Sequence, residues 1–424
     1  MKTKKKNLLL HVVLPFLLLA VAATGLYLWL FAPKGHAGLV PGESPAVVAV
    51  RPDRLPDPAA VTGLIQRWVG AVPKGIDFAQ DVYLFLSPDG RFGIAAAVKD
   101  SRLLAQSLSQ SADAGSAAML KRDGGLGWAW LDAGWLIAWD ENALLVMGPG
   151  TVQERTEIQH TMTQMFKAAE EKSFRRTAQW DELQEIPEGA ARLFARADAL
   201  PPPLSTFLRL GLPGKVRPAD IQLYATLQFH PQPEGADAIN LQGRLTSTEE
   251  QTRLLLQEAG GEQTLGTIYP RGIPESAICL FAAHIQEGKA ADKLYADPVL
   301  RDMLLSIDGN IRTDELPTEG GYDLALCLNN LYEDGTAAFS LIGSQGETIA
   351  YSYGNAGNLD ETTESALAAE ARGKRIYLTL NIERAFAEPN RLGDIAAIAH
   401  TLFGERKRAT FTLGATGDIA FTAK

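Results

Sequence analysis

Val82-Tyr83-Leu84-Phe85-Leu86-Ser87-Pro88-Asp89-Gly90-Arg91-Phe92-Gly93-Ile94-Ala95-Ala96-Ala97-Val98 is the stretch on which the fold turns. Two short apolar runs flank a Ser87-Pro88-Asp89-Gly90 turn, a strong hairpin signal. Upstream, Ala46-Val47-Val48-Ala49-Val50 reads as a strand and leads into a helix near Pro58 to Val69. The order is therefore strand, helix, strand pair.

That order recurs along the chain. A second copy opens at Ala191 to Ala195, with a helix near Leu204 to Leu210 and strands at Ile221 to Phe229 and Ala238 to Leu245. A third opens at Ala277 to Ala283, with a helix over Ala290 to Ser306 and strands at Tyr322 to Leu328 and Ala337 to Ile342. A fourth opens at Ile376 to Leu380, with a helix over Ile382 to Phe403 and strands at Ala409 to Leu413 and Ile419 to Thr422. The residues of the copies are only loosely similar, which indicates duplicated architecture rather than a solenoid. The first copy carries an insert: a helix after Asp100-Ser101, strands from Trp128 to Met147, and a helix from Thr151 to Ala169. Thr151-Val152-Gln153-Glu154 and Ser247-Thr248-Glu249-Glu250 are capping boxes.

Hairpin-linked strands with interspersed helices predict an α+β fold. It is expected to consist of repeated β-α-β-β units, mostly antiparallel sheets covered by helices, behind one N-terminal transmembrane helix. The best internal boundary is Gln184 to Gly189. This divides the chain into a Lys-rich start and anchor (1–32), a Gly- and Pro-containing tether (33–44), a first α+β domain (45–186), and a second with three β-α-β-β units (187–424).

The anchor is expected because Lys2, Lys4, Lys5 and Lys6 precede an apolar run from Leu8 to Ala32, broken only by His11, Pro15, Thr24 and Gly25. As a helix that run spans roughly 37 Å, against about 30 Å of hydrocarbon. Tyr27 and Trp29 lie near its outer end, where aromatic rings favour the interface. The positive-inside rule keeps the lysines in the cytoplasm and exports the body. The predicted localisation is therefore the inner membrane, single-pass, with the body facing the periplasm or exterior. Ala20-Val21-Ala22 is a legal signal-peptidase site, so a cleaved leader is the competing reading. Both readings export the body.

Charge narrows the partners. The chain has 40 Lys+Arg and 50 Asp+Glu, and five of the basic residues lie before residue 35, where no acid occurs. An acidic body is repelled by nucleic acid, whose phosphates supply most non-specific affinity. The expected partners are the membrane, through the N-terminal helix, and an envelope protein, lipid or glycan. Cys279 and Cys327, the only cysteines, sit in strand-like runs. Export permits a disulfide, and two small buried hydrophobes is the alternative.

Searches for chemistry return little. No G-x-S-x-G elbow and no H-E-x-x-H occurs, and none of the histidines pairs with a second ligand at helical spacing. Gly148-Pro149-Gly150 joins a strand to a helix but lacks the P-loop lysine. No catalytic residue, metal or cofactor is assigned, and the chain reads as non-enzymatic. The densest unusual feature is aromatic: Trp128, Trp130, Trp135 and Trp139 fall in one hairpin around Asp132-Ala133-Gly134. If their faces coincide, four indoles stack across it. They then form either a platform for sugar or lipid or a cross-strand core. Trp130 and Trp135, nearest the turn, are expected to be the exposed pair, and Trp128 and Trp139 the buried pair.

The run Val40-Pro41-Gly42-Glu43-Ser44-Pro45-Ala46-Val47-Val48-Ala49-Val50, behind an export segment, resembles the opening of an uncharacterised family of bacterial cell-envelope proteins. That family is described only as a domain of unknown function. Gly75-Ile76-Asp77-Phe78 before Val82 to Gly90, and Gly127 to Trp130 leading to Ile137 to Asp140, are similar too. Many members look like lipoproteins with a cysteine after the signal, and this chain has none there. The resemblance implies no catalytic residue or cofactor. It fits a membrane-anchored extracytoplasmic protein with a binding or structural role, the alternative being a lipid or glycan carrier of the envelope.

Overall fold

The computed structural model describes residues 35–55, 74–113, 117–123, 125–131, 134–167, 172–200, 216–232, 237–258, 264–266, 277–285, 322–331, 337–345, 348–354, 366–385 and 406–424. Two compact units are present, one built on Ala22–Ala195 and Tyr224–Phe229, the other on Arg196–Leu223 and His230–Lys424.

The first unit contains β1 (Ala46–Val50), β2 (Val82–Leu86), β3 (Phe92–Ala97), α1 (Ser101–Asp113), β4 (Ala117–Asp123), β5 (Leu126–Leu131) and β6 (Leu136–Trp139). It continues with β7 (Ala143–Gly148), α2 (Arg155–Lys167), α3 (Ala178–Glu185) and β8 (Ala191–Arg196). Its strands lie in the order β4-β5-β6-β7-β3-β2-β1-β8, every pair antiparallel. Beyond β8 comes β9 (Gln222–His230), whose Leu227 carbonyl accepts the Ala190 amide at 2.7 Å.

The β2–β3 hairpin shows why the sequence folds locally as it does. Leu86 pairs with Phe92, and the Gly90 amide donates to the Ser87 carbonyl at 2.9 Å. Gly90 takes φ +83°, a value that β-carbon sterics make costly for other residues. Ser87 Oγ accepts the Arg91 amide at 3.1 Å, so the turn is closed from its own side chain. The core of this unit gathers Val47, Tyr83, Phe85 and Leu145 from the sheet with Ile158 and Met162 of α2 and Leu183 of α3.

The second unit contains β10 (Ala238–Thr246), α4 (Glu250–Glu258), β11 (Cys279–Ile285), β12 (Tyr322–Leu331), β13 (Ala337–Gln345) and β14 (Thr348–Gly354). It closes with α5 (Ala366–Ala371), β15 (Lys374–Asn381), α6 (Ile382–Ala385), β16 (Arg408–Gly414) and β17 (Asp418–Ala423). Its order is β14-β13-β12-β11-β15-β16-β17-β10, again antiparallel throughout. One face packs Leu280, Ala282, Ala325, Cys327, Ile342 and Tyr377 against Leu367 and Ala371 of α5.

The two units share a strand plan. In the first, β1 pairs along its whole length with β8, from Ala46↔Ala195 to Val50↔Ala191. In the second, β11 pairs in the same antiparallel sense with β15, from Cys279↔Leu380 to Ala283↔Ile376. Outside β1 lies the β2–β3 hairpin, outside β11 the β12–β13 hairpin, and outside β15 the β16–β17 hairpin.

The α+β expectation is overturned. Strand is the commonest state of the described residues, in extended antiparallel sheet with few helices, and among these residues the helices do not cover the sheets as a layer. The physical reason lies in the pairing. Strands Ala117–Asp123 and Thr348–Gly354, which the sequence pattern does not reveal, satisfy their backbone groups against β5 and β13 and widen the sheets by hairpins alone. The helices expected near 58–69, 204–210 and 290–306 lie outside the described residues, as does most of the one expected over 382–403. The transmembrane helix expected over 8–32 lies outside them too. Among the described residues no helix is long and apolar enough to cross a membrane. The expected boundary at Gln184 to Gly189 falls between α3 and β8, and β8 pairs with β1 in the first unit.

The register also places the cysteines. Cys279 sits opposite Leu328 and Cys327 opposite Leu280, so the two thiols point to opposite faces of the sheet, and both are free and buried. Burial pushes the Cys327 thiol up to about 12 and the Cys279 thiol higher still. Because the thiolate is the reactive form, neither should be alkylated by iodoacetamide in the folded protein at pH 8. Mass spectrometry should show both labelled after denaturation without reductant. Labelling only after reduction would establish a disulfide and contradict the register.

Candidate functional site

The tryptophan hairpin splits its indoles between two faces. Trp128 pairs with Ala138 and Trp130 with Leu136, and these residues enter the core of the first unit. Trp139 pairs with Gly127 and therefore faces the other way, together with Ala129 and Ile137. Its ring lies directly on Gly127, where an added β-carbon would come within 2.3 Å of Trp139 Cε2. The expected stack of four indoles is not formed, because one residue of register decides the face.

Burial corrects a second expectation. Trp128 and Trp139 are 2% and 1% exposed, but Trp130 is buried as well, at 9%. Arg155, at the start of α2, sets its guanidinium carbon 5.4 Å from the centre of the Trp130 ring and covers it. Trp135 alone is half-buried, with its Cε3 close to Gly148. In the neighbouring loop, the Gly150 amide donates to the Gly134 carbonyl at 2.8 Å, so it is not presented to an anion. Thr151 makes half of its capping box: its amide donates to Glu154 Oε2 at 2.8 Å, but its hydroxyl donates to the same oxygen at 2.7 Å, and the Glu154 amide goes to the Thr151 carbonyl at 3.1 Å.

A charged cluster joins the ends of β1, β2 and β8. Asp81 accepts Arg51 Nε at 2.6 Å and Arg192 Nη2 at 3.3 Å, and Arg192 Nη1 donates to Gln184 Oε1 at 2.9 Å. His36 Nε2 lies 2.7 Å from the Asp81 carbonyl, and the His36 ring packs 5.2 Å from that of Tyr83. The hydrogen bond to Asp81 raises the Arg51 pKa, and burial raises that of the Tyr83 phenol. These contacts pin strand ends and account for every residue in the cluster.

The second unit holds an arrangement that sequence reasoning missed. His284 and Asp323 sit opposite one another on β11 and β12, at the end of the face lined by Leu280, Ala282, Ala325 and Cys327. His284 Nδ1 and Asp323 Oδ1 are 2.6 Å apart, and the Gly266 amide donates to Asp323 Oδ2 at 2.9 Å. Asp323 is 3% exposed. The contact with the carboxylate through Nδ1 fixes the imidazole in orientation. The pair is 39 residues apart in sequence, so no local motif announces it. The one available signal was alternation, which puts both residues at the ends of apolar strands. Among the other histidines, His160 and His230 are exposed, while His11 and His400 lie outside the described residues. Among the described residues no group of three or more His, Cys, Asp or Glu is placed to hold a metal ion.

No protein-family model matches the sequence, and no curated protein matches it. Among solved structures, crystal form III of TP0453 is similar over 51% of this chain and 82% of its own, at 9% identity and a TM-score of 0.31. Crystal form IV of the same protein gives 10% identity and a TM-score of 0.30 over 50% and 81% of the two chains.

Proposed function

We propose that this chain is an extracytoplasmic protein of the cell envelope, held at the membrane by its N-terminal segment, that acts by binding rather than by catalysis. The location rests on Lys2 to Lys6 before the apolar run from Leu8 to Ala32. The acidic body does not oppose it, since positive-inside topology exports segments without regard to their acids. The observation that carries a binding or structural role over a glycan platform is the tryptophan hairpin. Trp128, Trp130 and Trp139 fill the interior instead of presenting rings to a ligand.

Protease added to intact spheroplasts tests the location. The body should be digested while a short N-terminal fragment stays protected, and extraction should require detergent. A body that resists protease until the membrane is lysed would sink the reading. A mature N-terminus at Ala23 would replace the anchor with a cleaved leader but leave the export intact.

A further inference from the structure

Arg375, near the start of β15, is 1% exposed. Its Nη2 donates to the Leu256 carbonyl of α4 at 3.0 Å, but Nε and Nη1 have no hydrogen-bond partner among the described residues. Among the described residues no carboxylate accepts a hydrogen bond from Nε or Nη1. Asp418, whose carboxylate lies against Gly414 and accepts the Thr416 hydroxyl at 2.6 Å, is close enough to favour the charged form, but it is not hydrogen-bonded to the idle Nε and Nη1.

The backbone is unusual at the same residue. The β15·β16 register steps from Lys374↔Gly414 to Ile376↔Leu413, which makes Arg375 the extra residue of a β-bulge. Bulges re-aim a side chain out of the sheet's alternation and are common where a strand serves a site. Opposite the bulge stands Gly414, which brings no side chain of its own.

A guanidinium stays charged at any pH a folded protein meets, so burial cannot relieve it by deprotonation. A buried charge with idle donors is retained against desolvation when an opposite charge completes it. Helix capping through Nη2 uses one N–H and would be served as well by a neutral donor. The idle Nε–H and Nη1–H groups form part of a planar array that matches the oxygens of an oxyanion. We propose that Arg375 anchors a binding site for an oxyanion, supplied either by a small free anion such as phosphate or by the headgroup of an anionic phospholipid. This inference is independent of the envelope reading, because the protease assay and the assay below can each fail alone.

The test is thermal unfolding of the full chain in detergent at fixed ionic strength. One arm titrates inorganic phosphate against chloride, and the other titrates dihexanoylphosphatidylglycerol. The wild-type midpoint should rise saturably in at least one arm, by several degrees, and the arm that responds identifies the source. Arg375→Met should abolish the rise while being about as stable as wild type in phosphate-free buffer, since it removes a buried charge two of whose nitrogens have no hydrogen-bond partner. Arg375→Lys keeps the charge but loses the planar array, and should weaken the response at least tenfold. The proposal is overturned if neither arm moves the wild-type midpoint. It is also overturned if both variants respond like wild type, which marks an adventitious ion only. Failure of Arg375→Met to fold, together with an undiminished response in Arg375→Lys, assigns the residue to helix capping and overturns it as well.

Discussion

Trp139→Ala should lower the stability of the first unit by about 3–5 kcal/mol, the range for deleting a large aromatic from a packed core. Trp135→Ala should cost no more than about 1–2 kcal/mol, because that ring is only half-buried. In a thermal scan this amounts to a depression of roughly 6–20 °C against a few degrees, at about 2–4 °C per kcal/mol for a unit of this size. The difference arises from what each ring touches. Trp139 is 1% exposed and fills the space above Gly127. Its removal leaves a void that the sheet cannot collapse, since Gly127 has nothing to offer in return. Trp139→Phe should recover more than half of the loss. Equal small effects at both positions, with fluorescence quenched by added glycan or lipid, would reverse the assignment and promote the hairpin to a ligand platform.

Much of the strand plan was legible in the sequence for a physical reason. Runs such as Val82 to Leu86 and Ile376 to Leu380 are apolar, rich in β-branched and aromatic residues, and bounded by turn residues, which is the pattern a half- or fully buried strand requires. What could not be read is which strand lies beside which. The pairing of β1 with β8 joins residues about 145 positions apart, and nothing local to either encodes it. Strands Ala117–Asp123 and Thr348–Gly354 escaped notice because one opens on two alanines and closes on Lys121, Arg122 and Asp123, while the other lies outside the recurring order of strand, helix and strand pair. The β-character of Ala117–Asp123 is supplied by the neighbour it pairs with more than by intrinsic preference.

The site residues show the same division. The tryptophans were conspicuous because they are rare and close together, but their faces depend on a register that the sequence leaves free by one residue. Shifting Trp139 from opposite Gly127 to opposite Trp128 would have produced the expected stack. Arg375 and Asp323 look ordinary in sequence, since charged residues are usually solvated. Their interest comes from burial, at 1% and 3% exposure. Buried charge is a property of tertiary packing, and so it became visible only with the sheet assembled.

The Asp323 carboxylate offers the sharpest test of that packing. Asp323→Ala should destabilise the second unit by about 1–3 kcal/mol, because it removes the shared acceptor of two part-buried donors, His284 Nδ1–H and the Gly266 amide, and a fully buried unsatisfied group costs about 1–3 kcal/mol. The loss stays below the sum of two buried penalties because Gly266 is exposed and His284 has 13% of its side chain exposed, so both donors can recover some hydration. Asp323→Asn should behave differently. Its carbonyl oxygen can still accept the Gly266 amide, which leaves the NH2 group facing His284. Two donors cannot share one hydrogen bond, so the imidazole must surrender its Nδ1 proton and accept there instead. The variant should therefore cost only about 1 kcal/mol, within the range of a single exchanged hydrogen bond. It should also move the ring proton from Nδ1 to Nε2. Nitrogen-15 NMR of the labelled imidazole reads this directly: wild type should show a protonated Nδ1 with a lone pair on Nε2, and Asp323→Asn the reverse. An unchanged tautomer, or an Asn variant as unstable as the Ala variant, would mean that the carboxylate does not orient the ring. With the tautomer switched, Nε2 loses its basic lone pair while the fold survives, so any role of His284 that depends on that lone pair should be lost in Asp323→Asn without loss of structure.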